Sequence, residues 1–185
     1  MARIPPATRD SVPADQTESF EEEVRRRGGI PTRGPGSIMI NVPEMARRAS
    51  RLSDYLRGES TLSPRIQELA MLTTARSLDC QYIWNAHAAS GRKAGLRDEL
   101  VDNLRDNKEI TGLTTEEAAV VNYGREFFQT HRVSQATFGS AMAQFGIRGL
   151  TELTNLMGYY ALLAFNLNAF GADLPPDRAE PELPI

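Results

Sequence analysis

The sequence predicts an all-α domain, and three observations carry that reading. No run shows sustained period-two alternation with β-branched residues. Apolar residues instead recur at helical spacing in successive segments. Several of those segments open on a capping residue, Ser63, Thr114 or Ser134, and glycine or proline falls between them.

The 185 residues read as one domain over residues 15–171, with an extended N-terminal arm over 1–14 and a proline-rich tail over 172–185. Apolar residues make up 41% and charged residues 24%, ordinary for a globular chain. A net charge of -3 with interspersed signs leaves no electrostatic footprint for nucleic acid. The N-terminus lacks an apolar signal region, and a single cysteine makes no internal disulfide, so a reducing cytoplasm is expected. The longest apolar run, Leu156 to Phe165, is about half the ~20 residues of a spanning helix, which suggests a buried helix and no membrane segment.

In order, the three prolines of residues 1–14 predict an extended arm, and residues 15–27 a short helix, acidic first and basic last. Gly28 to Gly36 reads as a loop without phosphate-loop spacing. Asn41-Val-Pro-Glu44 predicts a capped helix start, followed by Met45, Ala49, Leu52 and Leu56 at helical spacing and an end near Gly58. Ser63-Pro64 starts a helix that is apolar on most sides and therefore central. Asp79 offers a cap for a helix opening at Cys80 and stopping at Gly95. A short helix over Leu96 to Leu104 follows, and Thr114-Thr-Glu-Glu117 is a capping box for the next. Ser134 caps a helix carrying Phe138, Met142 and Phe145. Gly146 and Gly149 bracket the turn into a last helix, Leu150 to Phe170.

The residue types that carry chemistry collect between Ser63 and Gly95. Cys80 and His87, seven residues apart, lie within about 20° of one helix face but roughly 10 Å apart along the axis. A relay between them needs a third group, and Glu68 on the preceding helix offers one if the two helices pack antiparallel. A thiol in a first helical turn meets unpaired N–H groups that stabilise a thiolate, whereas a lone cysteine in a helical core is more often an apolar filler. Glu68 sits among Leu69, Ala70, Met71 and Leu72, so it needs a partner or a raised pKa; a salt bridge to Arg76 or to an arginine from elsewhere is the plain alternative. His87, flanked by alanines, is either functional or a satisfied core histidine, and His131 reads as a solvated loop residue. Tyr82, Ile83 and Trp84 are candidate pocket wall. Two histidines on different elements and one cysteine form no metal-ligand cluster, and no cofactor is expected.

At these residues the chain resembles the carboxymuconolactone decarboxylase family, which includes the alkylhydroperoxidase D-like proteins. Pro64-Arg-Ile-Gln-Glu-Leu-Ala-Met-Leu72 is similar to its first core helix, Cys80-Gln-Tyr-Ile-Trp-Asn-Ala-His87 to its site motif, and Gly158 to Gly171 to its final helix. The resemblance implies a bundle of six to eight helices, assembled as a homo-oligomer (trimer or hexamer) with sites near subunit contacts. Glu68, Cys80 and His87 fall on the family's glutamate, first cysteine and histidine. Ile83 stands where the alkylhydroperoxidase D branch has its second, peroxidatic cysteine.

Three functional expectations follow. The first is thiol-dependent peroxide reduction: Cys80 attacks a hydroperoxide, Glu68 and His87 move protons, and an external thiol resolves the sulfenic acid. The alternative is a cofactor-free decarboxylase or isomerase of a lactone-acid, with His87 and Glu68 as acid and base, which requires an arginine for the substrate carboxylate. The third is a non-catalytic oligomeric binding protein.

Overall fold

The computed structural model describes residues 3–176 and 178–185, which form eight α-helices and no strand. Residues 1 and 2 of the expected arm lie outside the described residues; from residue 3 the arm is non-helical up to a 3-10 turn at Ala14–Gln16, but it is not free. Ala7 and Val12 are buried against Phe20 and Ile40 in a small cluster apart from the main core. Helix α1 (Thr17–Arg27) ends at Gly28, whose left-handed backbone (φ 74°) closes the helix.

The expected loop through Gly36 ends early, because Pro35 sits in the first turn of a short helix α2 (Gly34–Met39) that buries Ile38 and Met39. Asn41 does not cap the following helix. Its side-chain amide donates back to the carbonyls of Ser37 and Ile38, closing α2. Helix α3 (Pro43–Asp54) is served instead by Gln16, whose Oε1 accepts from the Glu44 N–H at 3.1 Å. Its apolar stripe also behaves differently from the spacing. Leu56 reaches the core, while Met45 and Leu52 remain 46% and 44% exposed. The chain leaves α3 through a π-helical turn, Tyr55–Glu59.

Helix α4 (Pro64–Ser77) is the centre of the molecule. Ser63 Oγ accepts from the Ile66 N–H and Pro64 fills the first turn, as expected. Every residue from Ile66 to Ala75 is buried. Around it pack α5 (Gln81–Lys93), α7 (Thr115–Thr130) and α8 (Gln135–Phe170), with α6 (Asp98–Arg105) closing one side. The Thr114/Glu117 capping box is formed at the start of α7. α8 breaks at Gly146 (φ 62°, ψ −178°), so the expected turn between two helices is a single-residue kink. No described helix is long and apolar enough to cross a membrane.

The described residues of the C-terminal tail, all but 177, form no helix or strand and are tied down. Gln81 exchanges two hydrogen bonds with the Leu183 backbone (2.7 and 2.8 Å), and Asn85 donates to the Glu180 carbonyl. Buried Glu152 ties α8 to the segment before α4. Burial raises its pKa, but hydrogen bonds from the Thr61 hydroxyl and N–H, Tyr55 and Arg148 outweigh that and hold it at about 2, against an ordinary 4.5. A carboxylate held low stabilises the fold fully above its unfolded pKa and loses that contribution as pH falls through the folded value. Acid titration of the parent should therefore show stability falling from about pH 4.5 towards 2. Glu152→Gln should show a shallower fall over that window, measured by urea unfolding at each pH.

Candidate functional site

α4 and α5 approach closely enough for their side chains to meet because α5 carries Gly91. A Cβ there would stand 2.9 Å from Leu96 Cδ1, 3.2 Å from Leu72 Cδ1 and 3.7 Å from Glu68 Cβ. One turn earlier on α5, His87 Nδ1 lies 2.9 Å from Glu68 Oε2, with both side chains nearly buried. The partner of Glu68 is thus His87, and Arg76 pairs with Asp79 instead. An ionised carboxylate accepts only, so Nδ1 carries the proton in this bond. Nε2 then remains without a protein partner among the described residues.

His87 lines a recess of about 300 Å³ together with Tyr82, Ile83 and Tyr160. The Tyr160 ring stands edge-on to the imidazole, centroids 5.1 Å apart. Burial pushes the Tyr160 hydroxyl up to about 12, and nearby Glu68 and Tyr159 add to the rise against Arg57. It is therefore a proton donor at neutral pH and not a phenolate. A second opening of about 440 Å³ reaches Glu68 from the other side, and the two share Ser53, Asp54 and Arg57. A cleft of about 410 Å³ between arm and tail carries neither histidine nor cysteine.

Three arginines face the recess. Arg26 and Arg27 are occupied by buried Glu23, at 2.9 and 2.6 Å. Burial raises the Glu23 pKa, but hydrogen bonds from Arg26, Ser50 and Arg27 bring it to about 2, so it stays charged and holds both guanidinium groups in place. Arg57, on the π-helical turn, makes no ion pair among the described residues and overlooks both openings. Sequence reasoning missed Arg57 and Tyr160. Neither belongs to a spaced motif, and only the fold brings the turn before α4 and the middle of α8 to His87. Gly91 gave a signal that could have been used: a glycine inside a helix one turn from a candidate histidine marks a close approach.

Cys80 lies elsewhere. It is itself the N-cap residue of α5, preceded by Asp79 in a left-handed conformation (φ 48°), and it is fully buried. Its sulfur does not line the recess, where Ile83 occupies the facing position one turn on. The Cys80 side chain accepts no cap hydrogen bond, and although the nearby N–H groups of Ile83 and Tyr82 favour the thiolate, burial outweighs them and pushes the thiol up. Trp84 is core, not pocket wall, and its Nε1 has no partner among the described residues. His131 closes α7 from an exposed left-handed position. Among the described residues no three His, Cys, Asp or Glu side chains are grouped to hold a metal ion. A thiol this buried should react with an aromatic disulfide reagent on the order of 100-fold more slowly in the native protein than in urea. Stopped-flow absorbance under the two conditions reads the ratio.

Comparison with known proteins agrees with this architecture. The model of the carboxymuconolactone decarboxylase family matches residues 43–126, which hold α3 to α6, most of α7 and the Glu68–His87 pair. An uncharacterised peroxidase-related protein of Ralstonia eutropha JMP134, described as an alkylhydroperoxidase core, superposes with a TM-score of 0.72 at 17% identity, covering 95% of this chain and 93% of that one. A peroxidase-related protein of Silicibacter sp. TM1040 gives 0.73 at 17% identity, covering 96% and 93%. The debrominase Bmp8, in complex with 2,3,4-tribromopyrrole, gives 0.68 at 11% identity, covering 94% and 91%. No curated protein matches the sequence. Residues 43–126 match the carboxymuconolactone decarboxylase family, and the chain has the alkylhydroperoxidase D-like fold.

Proposed function

We propose that the chain is a cofactor-free acid–base enzyme acting on a small cyclic carboxylic acid, with His87 as the proton-transfer group. The observation that supports this most is that His87, held by Glu68, and the Arg57 guanidinium, without an ion pair among the described residues, line one recess. Arg57 supplies the anchor that a lactone-acid reading demands, a planar donor set matched to a carboxylate. Glu68 holds the imidazole so that Nε2 faces the substrate. In a decarboxylation Nε2 first takes a proton from solvent; the bond to the departing CO2 then breaks, its electron pair passes into the ring system conjugated to the lactone carbonyl, and Nε2 delivers that proton to the carbon. In an isomerisation the same nitrogen removes and returns a proton. Tyr160, protonated beside the ring, donates to the developing oxyanion. The fold relative Bmp8 holds a small ring compound, which is in keeping with a ring-sized ligand here.

A thiol-dependent peroxidase is the second reading, favoured by the place of Cys80 at a helix start and by the peroxidase-related fold relatives. The Cys80 thiolate attacks the peroxide O–O bond and releases an alcohol. The resulting sulfenic acid is reduced by two equivalents of an external thiol, giving water and a disulfide. This route needs an opening that brings peroxide to a buried sulfur. For assembly, Phe165 is 79% and Leu162 46% exposed on α8, which supports a homo-oligomer that covers them.

The test is a panel of carboxylated lactones and cyclic acids, followed by CO2 release and by deuterium incorporation from D2O. His87→Ala should lower kcat by about 10²- to 10⁴-fold. Arg57→Ala should chiefly raise KM, because it removes a contact made equally in ground and transition states. Full activity in His87→Ala would sink the proposal.

A further inference from the structure

Two turns along α4 from Glu68, on another face of the bundle, a second recess of about 220 Å³ lies between α4, α7 and the end of α6. It contains none of the residues of the His87 site. Two arginines line it, Arg76 from α4 and Arg125 from α7, over an apolar floor that includes Phe128. Arg76 is nearly buried, with a side chain 11% exposed. One terminal nitrogen of its guanidinium is taken by Asp79, but its Nε is buried without any hydrogen-bond partner. Arg125 is half-buried and makes no ion pair or side-chain hydrogen bond among the described residues. Asn107 and Gln129 add amide groups at the rim that are likewise without side-chain partners.

This arrangement is unfavourable for the protein by itself. Two like charges share a recess served by one carboxylate, and a buried guanidinium N–H is left without an acceptor among the described residues. Burial and the neighbouring Arg76 both push the Arg125 pKa down. A purely structural arginine at the end of a helix takes a carbonyl or a carboxylate, as Arg92 does with Asp98, Asp102 and Glu180. The Arg125 guanidinium and the terminal nitrogen of Arg76 that Asp79 leaves unpaired instead belong to the lining of a recess large enough for a tetrahedral anion.

We propose that the Arg76–Arg125 recess is a binding site for a small oxyanion of the phosphate or sulfate type, free or as the terminal group of a small molecule. The anion accepts from the second terminal nitrogen of Arg76, which Asp79 leaves unpaired, and from the Arg125 guanidinium, and the amides of Asn107 and Gln129 close over it. Asp79 sets the limit on affinity, because its carboxylate stays on Arg76 and repels the incoming charge.

The test is thermal unfolding of the full chain titrated with inorganic phosphate at constant ionic strength, with chloride as the balancing salt. The parent should gain Tm saturably with phosphate. Arg125→Gln should bind phosphate at least tenfold more weakly. In phosphate-free buffer Arg125→Gln should melt at the same temperature as the parent or higher, because the substitution removes a like-charge contact. That last outcome separates a ligand-binding arginine from a structural one, whose loss lowers Tm. Equal stabilisation by phosphate in parent and Arg125→Gln overturns the proposal, as does no effect of phosphate beyond that of chloride. If Arg125→Gln changes the sedimentation of the protein while phosphate leaves the parent unmoved, a carboxylate from a second copy fills the recess. The free-oxyanion site is then overturned.

Discussion

The Glu68–His87 hydrogen bond is the constraint that the middle of this molecule is built around. A carboxylate in the most buried helix of the bundle needs a partner, since an unpaired buried charge costs several kcal/mol. The partner comes from the adjacent helix, and the bond forms only where the two backbones run close together. Gly91 permits that approach. Leu72 and Leu96 fill the space beside it and fix the spacing. The bond also sets the imidazole tautomer and leaves one ring nitrogen for the recess, so a single interaction joins packing to chemistry.

The surroundings of that bond divide the work among elements. α1 carries a buried carboxylate whose role is to hold two arginines at the wall, and the π-helical turn after α3 carries a third that is left free. α8 contributes a tyrosine kept protonated by its burial. Cys80, by contrast, is treated by the fold as part of the core. It closes the start of α5, while Ile83 takes the position that faces the recess. The chemistry open to the recess is therefore that of an imidazole, a phenol and a guanidinium, with the thiol behind the wall.

Much of this was legible in the sequence wherever one local interaction decides the outcome. Ser63 with Pro64 and Thr114 with Glu117 give helix starts through bonds made within four residues, and both stand as read. The pairing of Glu68 with a residue on the next helix could be anticipated from its apolar neighbours. Less legible were features set by distant partners. Asn41 reads as a cap, but Gln16 already serves the Glu44 N–H, which frees Asn41 to close α2. The stripe of Met45 and Leu52 reads as core, but α3 turns Ala46 and Ser50 inward, Ser50 to reach Glu23. Arg57 has no pattern to betray it, since its position beside His87 depends on how three helices and a turn come together.

The central claim is that the Glu68–His87 pair, and not the cysteine, carries the reaction. Turnover by Cys80→Ser tests it most directly, once an acid substrate of the parent has been found. The account predicts kcat/KM within about twofold of the parent, since Cys80 is fully buried and off the recess. Loss of turnover in a Cys80→Ser protein that keeps the parental circular dichroism and Tm would contradict it.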